Sequence, residues 1–447
     1  MNEQWLMKHA HSLLEFAQGS MCEEGGFGWL DDFGRIDTSQ GRPLWITCRM
    51  THVAAIGALL GHPGCRAAVD HGVAALTGCF RDQDNGGWYA QLNWDNTPTD
   101  TEKAAYPHAF VILASSSAVT ALSALGMDTS DALAVLKDAL NVSSAHFWDE
   151  EYSMVVEQWD RGFTALDPYR GVNANMHTVE AYLAAADALD LLDPQPTGFP
   201  VTATTLRNRA LAITDRVLNR EARGNNWRIP EHYDTSWHSI LDYNQDRPAD
   251  PFRPYGATIG HGLEWARLCL QVWANIPDRP AWMPEAALAL YDRSLNDGWA
   301  VDGHDGFVYT TDWDGAPVVR ERMHWVVAEA IGASAAIEKA GLRDTASDTS
   351  RWWAYAQRYL IDQTHGSWHH ELDPNNNPSS TVWQGKPDVY HALQATLFAR
   401  LPLTPSIVEA LAGLADDQGG GDDLGGEVPR IGAGVNDFEQ HTAGSQR

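Results

Sequence analysis

The chain is poor in cysteine and has none of it in pairs: Cys22, Cys48, Cys65, Cys79 and Cys269 are five in 447 residues, with no C-x-x-C spacing. An odd, scattered set excludes a disulfide framework and a zinc ribbon, and it points to a reducing compartment, the cytoplasm. Positive charge is scarce as well. Against 59 acidic residues stand 31 Lys and Arg, a formal net charge of −28. Such a surface repels phosphate backbones and anionic lipid, so neither nucleic acid nor a membrane is expected as a partner. The opening MNEQWLMKHAHSLLEF has no basic stretch leading into an apolar one, and no run of about 18 apolar residues stands out. There is no P-loop and no H-E-x-x-H pair, so neither a nucleotide, another cofactor nor a metal is expected.

Other features are plentiful. Hydrophobic residues make up 44% and charged residues 20%, the proportions of a globular chain with a sizeable core. Nineteen tryptophans fill cores well and also offer flat faces to the C–H surfaces of sugars.

A rhythm organises the chain. A Gly- or acid-aromatic turn recurs six times: EEGGFGWLDD at 23, DNGGWYAQLNWD at 84, WDEEYSMVVEQWD at 148, NNWRIPEHYDTSW at 225, HDGFVYTTDWD at 304 and THGSWHHELD at 364. Each turn is followed by an apolar segment of helical spacing, such as PLWITCRMTHVAAIGALLG or ERMHWVVAEAIGASAAIEK. Several of these are apolar all round, as a helix covered on both sides must be. More amphipathic segments, such as CRAAVDHGVAALTGCF, alternate with them. Six inner and six outer helices joined by hairpin-like turns predict an all-α fold, an (α/α)6 barrel over residues 1–403. Residues 404–447 contain the Gly- and Asp-rich run DDQGGGDDLGGEVPRIGAGVND and are read as a disordered tail.

Five inner segments carry a histidine near their N-terminal part, namely His108, His177, His261, His324 and His391, and the first carries Arg49 and His52. Alternate helices in a toroid run the same way, so these side chains are expected at one mouth. A lone histidine on an apolar helix is more often a hydrogen-bonded core residue than a catalyst; five in sequence favour a site. In GHGLEW, His261 and Glu264 are three apart and share a helix face, which predicts a base with its orienting carboxylate. His177 and Glu180 repeat the spacing.

RPLWITCRMTH, NANMHTVEAYL, DPFRPYGATIGHGLEWARL, HWVVAEA and GKPDVYHALQAT together resemble the N-acylglucosamine 2-epimerase family, and within it the mannose isomerase and sulfoquinovose isomerase branch. The resemblance covers nearly the whole barrel. It implies a metal-independent aldose–ketose isomerase acting on a monosaccharide through a cis-enediol. His261 and His391 match the proton-exchanging pair, Glu264 its support, and His177, Arg49 and Arg253 polar positions of the pocket. Trp45, Met176 and Trp325 match its apolar walls, and His108 is expected among the substrate contacts. Isomerase and 2-epimerase share the enediol, and the match favours the isomerase with D-mannose, ahead of sulfoquinovose. Two other readings compete: a glycoside hydrolase on the same toroid, with Asp95, Asp234 or Glu264 as carboxylates, and a non-catalytic sugar-binding protein.

Overall fold

A computed structural model describes residues 2–192 and 198–418. Helices alternate in two layers. The outer layer is α1 (Glu3–Gln18), α3 (Cys65–Thr77), α5 (Ser130–Val142), α7 (Ala203–Thr214), α9 (Trp282–Gly298) and α11 (Ala346–Tyr355). The inner layer is α2 (Leu44–Leu59), α4 (Ala105–Ala124), α6 (Val172–Asp190), α8 (Ile259–Asn275), α10 (His324–Lys339) and α12 (Tyr390–Phe398). Each inner helix packs on the next, and α12 returns to α2, so the ring closes. The expected (α/α)6 barrel is the observed fold.

The inner helices are buried nearly all round, as their lack of a polar face requires. Helix α4 is long and apolar enough to cross a membrane by length and composition. Yet 89% of its apolar window is buried against its neighbours, as in a barrel's core helix.

The recurring turns tie the ring together. In five of the six, a short strand pairs with the residues that lead into the preceding inner helix: Arg42–Pro43 with Gln91–Leu92, Lys103–Ala104 with Gln158–Trp159, Arg170–Gly171 with His232–Tyr233, Ala257–Thr258 with Thr310–Thr311, and Arg322–Met323 with Glu371–Leu372. The carbonyl just before each strand accepts the first N–H of that helix. Ala90, Glu157, Glu231, Tyr309 and His370 thus receive Leu44, Ala105, Val172, Ile259 and His324 at 2.8–3.1 Å. Lys386 N–H on the Leu30 carbonyl, 3.0 Å, ties the first turn to the last segment. These bonds satisfy helix N-termini that have no side-chain cap. They also bring the turn side chains to the mouth where the inner helices begin.

The ordered chain runs past the boundary expected at residue 403. Helix α13 (Ile407–Gln418) packs on α2, α4 and α6, burying Ile407, Val408, Ala410 and Leu411. Its apolar residues recur at helical spacing inside a segment whose Gly and Asp content had suggested a disordered tail. Residues 419–447 of that segment lie outside the described residues.

Candidate active site

The barrel interior is built in layers by helical periodicity. Counting from each inner helix start, the second residues are Trp45, Tyr106, Asn173, Gly260, Trp325 and His391. The sixth are Arg49, Phe110, His177, Glu264, Glu329 and Ala395. The ninth are His52, Leu113, Glu180, Arg267, Gly332 and Phe398. Steps of four and three residues keep one helix face toward the axis. Trp45, Tyr106, Asn173, Trp325 and His391 of the first layer, with Arg49, His177 and Glu264 of the second, line a cavity of about 690 Å³ counted out to its mouth.

Gly260 interrupts the first layer for a steric reason. A Cβ there would stand 2.1 Å from Cζ3 of Trp325, so only glycine lets that indole lie across α8. His261, the next residue, then turns to the cavity beside it. The His261 and His391 rings flank Trp325, with centroids 5.4 and 5.8 Å from its own.

Both imidazoles are held from behind by a buried carboxylate. His261 Nδ1 lies 2.9 Å from Glu231 Oε1, and His391 Nδ1 lies 2.9 Å from Glu329 Oε1. An ionised carboxylate accepts hydrogen bonds only, so Nδ1 carries the hydrogen in each and Nε2 is left to act in the cavity. Burial pushes the His391 pKa well below its ordinary value, which keeps that ring neutral and basic.

The expected pairing of His261 with Glu264 is therefore not the one formed. The orienter is Glu231, from the fourth recurring turn. Glu264 points one layer deeper, with Oε1 3.9 Å from His177 Nδ1 and 3.6 Å from Arg267 Nη2. His177 Nδ1 is 3.8 Å from Glu180 Oε2, too far for a hydrogen bond. Burial lowers the His177 pKa to about 4. Burial and the nearby Glu329 raise Glu264 well above the usual carboxylate range. We assign a shared proton to Glu264, because Glu329 already receives Arg267 Nε at 2.9 Å and His391.

Arg49 supplies a fixed cation. It donates to Asp388 Oδ2 and to the Tyr106 hydroxyl, both at 3.1 Å. The rings of Phe110, Tyr390 and Trp45 surround it at 4.5, 4.7 and 5.0 Å. Burial opposes this charge, but Tyr106, Asp388 and Tyr390 outweigh it and raise the guanidinium's pKa. His324 stacks on His370 at 3.7 Å and bonds its carbonyl through Nδ1. Its Nε2 is buried without a partner at the cavity wall, and burial keeps the ring neutral.

Three expected contacts lie elsewhere. His108, the fourth residue of α4, is off the axial face and donates through Nε2 to the Ala139 carbonyl at 2.9 Å, between Trp88 and Phe147. Met176 is fully buried and is not among the cavity's lining residues. Arg253 lies over Tyr169 at 4.0 Å and 3.9 Å from Glu157, and is not among the lining residues, although its neighbours Phe252 and Pro254 are. Trp45, Arg49, His177, His261, Glu264, Trp325 and His391 do converge on the cavity. Of the hydrolase carboxylates, Asp95 and Asp234 each accept from their own turn's backbone N–H groups, outside the lining.

Among the described residues, His177, Glu180 and Glu264 form the group spaced to admit a cation, with ligand atoms within 4.8 Å of one another. The Arg267 guanidinium beside Glu264 already supplies positive charge there.

Sequence reasoning missed Glu231, Glu329, Tyr309, His370 and Asp388. A signal existed for three of them. Aligning the recurring turns puts Glu231, Tyr309 and His370 at one equivalent position, the residue whose carbonyl caps the preceding inner helix.

A closed helical toroid with two imidazole–carboxylate pairs at one mouth defines the class, an (α/α)6 barrel equipped for acid–base chemistry. The chain belongs to the N-acylglucosamine 2-epimerase (GlcNAc 2-epimerase) family, whose model matches residues 25–395. It is 46% identical over 410 residues to a protein of Thermobifida fusca named D-mannose isomerase, covering 91% of this chain and 96% of that one. A D-mannose isomerase of Pseudomonas cannabina pv. alisalensis is 43% identical over 418 residues, covering 92% and 96%. A crystal structure of D-mannose isomerase superposes with a TM-score of 0.78 at 26% identity, covering 89% of this chain and 97% of the other.

Proposed function

We propose that this chain is an aldose–ketose isomerase that interconverts D-mannose and D-fructose through a cis-enediol, without a metal or other cofactor, using His261 and His391 as its acid–base pair. The observation that carries the reading is the paired geometry. Two imidazoles, each with a carboxylate 2.9 Å from Nδ1, turn to one cavity on either side of Trp325. Similarity to enzymes named D-mannose isomerase over most of the chain supports the choice of sugar.

The chemistry needs few parts. Opening the pyranose requires a proton on the ring oxygen and loss of one from the anomeric hydroxyl. Nε2 of one imidazole then takes the hydrogen from C2 as the C1 carbonyl oxygen gains a proton, giving the enediol. Return of a proton to C1, with loss of the O2 proton, gives the ketose. Arg49, fixed by Asp388 and Tyr106, offers positive charge to the oxygen that becomes negative. The unpartnered His324 Nε2 accepts a sugar hydroxyl. Trp45, Trp325 and Trp383 supply apolar faces to the ring. The five cysteines are unpaired, and we place the enzyme in the cytoplasm.

The test is NMR of the protein with D-mannose in D2O with a chelator present. Fructose carrying deuterium at C1 is expected, and His391→Asn should abolish it while the fold survives. Glucose with deuterium at C2 would make the enzyme an epimerase instead. Turnover of a sulfonated hexose but not of mannose would reassign the substrate, and dependence on an added metal would overturn the cofactor-free mechanism.

A further inference from the structure

Below the catalytic floor lies an arginine that the isomerisation chemistry does not itself use. Arg267, in the third layer, is 2% exposed and is not among the lining residues of the sugar cavity. Its guanidinium reaches across helices. Nε donates to Glu329 Oε2 on α10 at 2.9 Å, Nη1 to Gln271 Oε1 at 3.2 Å, and Nη2 stands 3.6 Å from Glu264 Oε1. Phe398 of α12 underlies it at 4.9 Å. The neighbouring helix leaves room for it at Gly332, where a Cβ would come within 3.0 Å of Arg267 Cδ and 2.8 Å of Phe398 Cε2. A second cavity, closed from below by α13, meets Arg267 and Glu180 from the other side.

We infer that Arg267 is a positioning residue for the reaction: it keeps Glu329 an ionised acceptor, which holds His391 in the tautomer with hydrogen on Nδ1 and the Nε2 lone pair free for the sugar. The inference rests on the isomerase reading above and deepens it. One carboxylate serves two donors. Glu329 takes Arg267 on Oε2 and His391 on Oε1, so a single charge links α8, α10 and α12. Glu329 is fully buried; burial raises its carboxyl and Arg267 opposes that shift, so its ionised form depends on this compensating cation. Among the groups that face it, His391 is neutral, while Glu264 and Glu180 carry or can carry negative charge. Arg267 is its hydrogen-bonded cation. Arg49 from α2, His177 from α6, His324 from α10, His370 from the sixth recurring turn and Asp388 before α12 complete the titratable and charged surroundings of His391. With Arg267 removed, Glu329 takes a proton and can donate it to Nδ1. His391 then shows N–H instead of a lone pair to the cavity, and the base is lost.

Two measurements test this. Long-range proton–nitrogen NMR of the sugar-free enzyme reads the His391 tautomer, and kcat and KM for D-mannose are followed across pH. In Arg267→Met the hydrogen is expected to move from Nδ1 to Nε2 and kcat to fall about 10- to 100-fold. KM should change little, and the acidic limb of kcat should shift to higher pH, because Glu329 must ionise for the base to reappear. Arg267→Lys should restore the limb. If Arg267→Met does not fold, Gly332→Ala, which crowds Cδ, should move the limb the same way by less. An unmoved limb and an unchanged tautomer, whatever the loss of kcat or thermal stability, would overturn the inference. Failure of the wild type to turn over mannose would instead defeat the isomerase reading, and the tautomer comparison would still decide the role of Arg267.

Discussion

Glu231 Oε1 lies 2.9 Å from His261 Nδ1 although the two residues are 30 apart in sequence, one in a turn and one on α8. Glu264, one helical turn from His261, is directed to Arg267 and His177 instead. The bond joins the fourth recurring turn to the helix that follows it, so the orientation of a proposed catalytic ring depends on the hairpin that ties neighbouring repeats.

Glu231→Gln keeps an acceptor but removes the charge that supports a protonated His261. A fall in kcat of about 10- to 100-fold with KM nearly unchanged is expected, the range for groups that orient a functional histidine. Steady-state kinetics with D-mannose measure it. A variant with wild-type kcat would show that Glu231 holds the turn rather than the base.

Buried neutral histidines should make the fold sensitive to acid. Burial lowers His52, His108 and His177 to about 4 from 6.5. Between these values the unfolded chain takes up protons and the folded one does not, so stability falls as pH drops from about 6.5 to about 4. Each group contributes up to roughly 3 kcal/mol across that window. His108→Gln retains an N–H for the Ala139 carbonyl and cannot titrate. Its Tm should fall less than that of the wild type over this range, with KM for mannose unaltered. A raised KM would return His108 to the sugar site.

Glu409 on α13 gives the opposite slope. Burial, with Asp187 nearby, raises its carboxyl to about 8 from 4.5, and Thr120 and Ser406 donate to it. Above 4.5 the unfolded carboxyl ionises while the folded one keeps its proton until about 8. Stability is therefore lost as pH rises through this window, by up to about 1.4 kcal/mol per unit. Glu409→Gln fixes the neutral form, and its Tm should gain on the wild type steadily from about pH 5 to about pH 8. A constant difference would mean that Glu409 does not titrate there.

Phe252 stands at the mouth, 42% exposed, edge-on to Trp383, Tyr106 and Trp45 at 5.3, 5.9 and 6.4 Å. Phe252→Ala should raise KM about 5- to 10-fold, the worth of one aromatic contact of about 1 kcal/mol, and lower kcat less. A fall in kcat at constant KM would instead make Phe252 part of the proton-transfer geometry.

What the sequence determined by itself was periodic. Six turns, each followed by an apolar helical segment and several of those segments apolar all round, forced a closed double layer, because a helix without a polar face must be covered on all sides. His177, His261 and His391 near helix starts therefore had to gather at one mouth. Two kinds of fact were left to the tertiary structure. The first is rotation about the helix axis: His108 and His177 look alike in sequence, yet one is the fourth and the other the sixth residue of its helix, and a two-residue step of about 200° separates a core contact from a cavity wall. The second is partnership across the ring. Glu231 with His261, and Arg267 through Glu329 with His391, join residues on different repeats, and short-range spacing carries no record of them. Spacing along one helix suggested Glu264 as the orienter of His261, while Glu231, carried in by a hairpin from the neighbouring repeat, reached Nδ1.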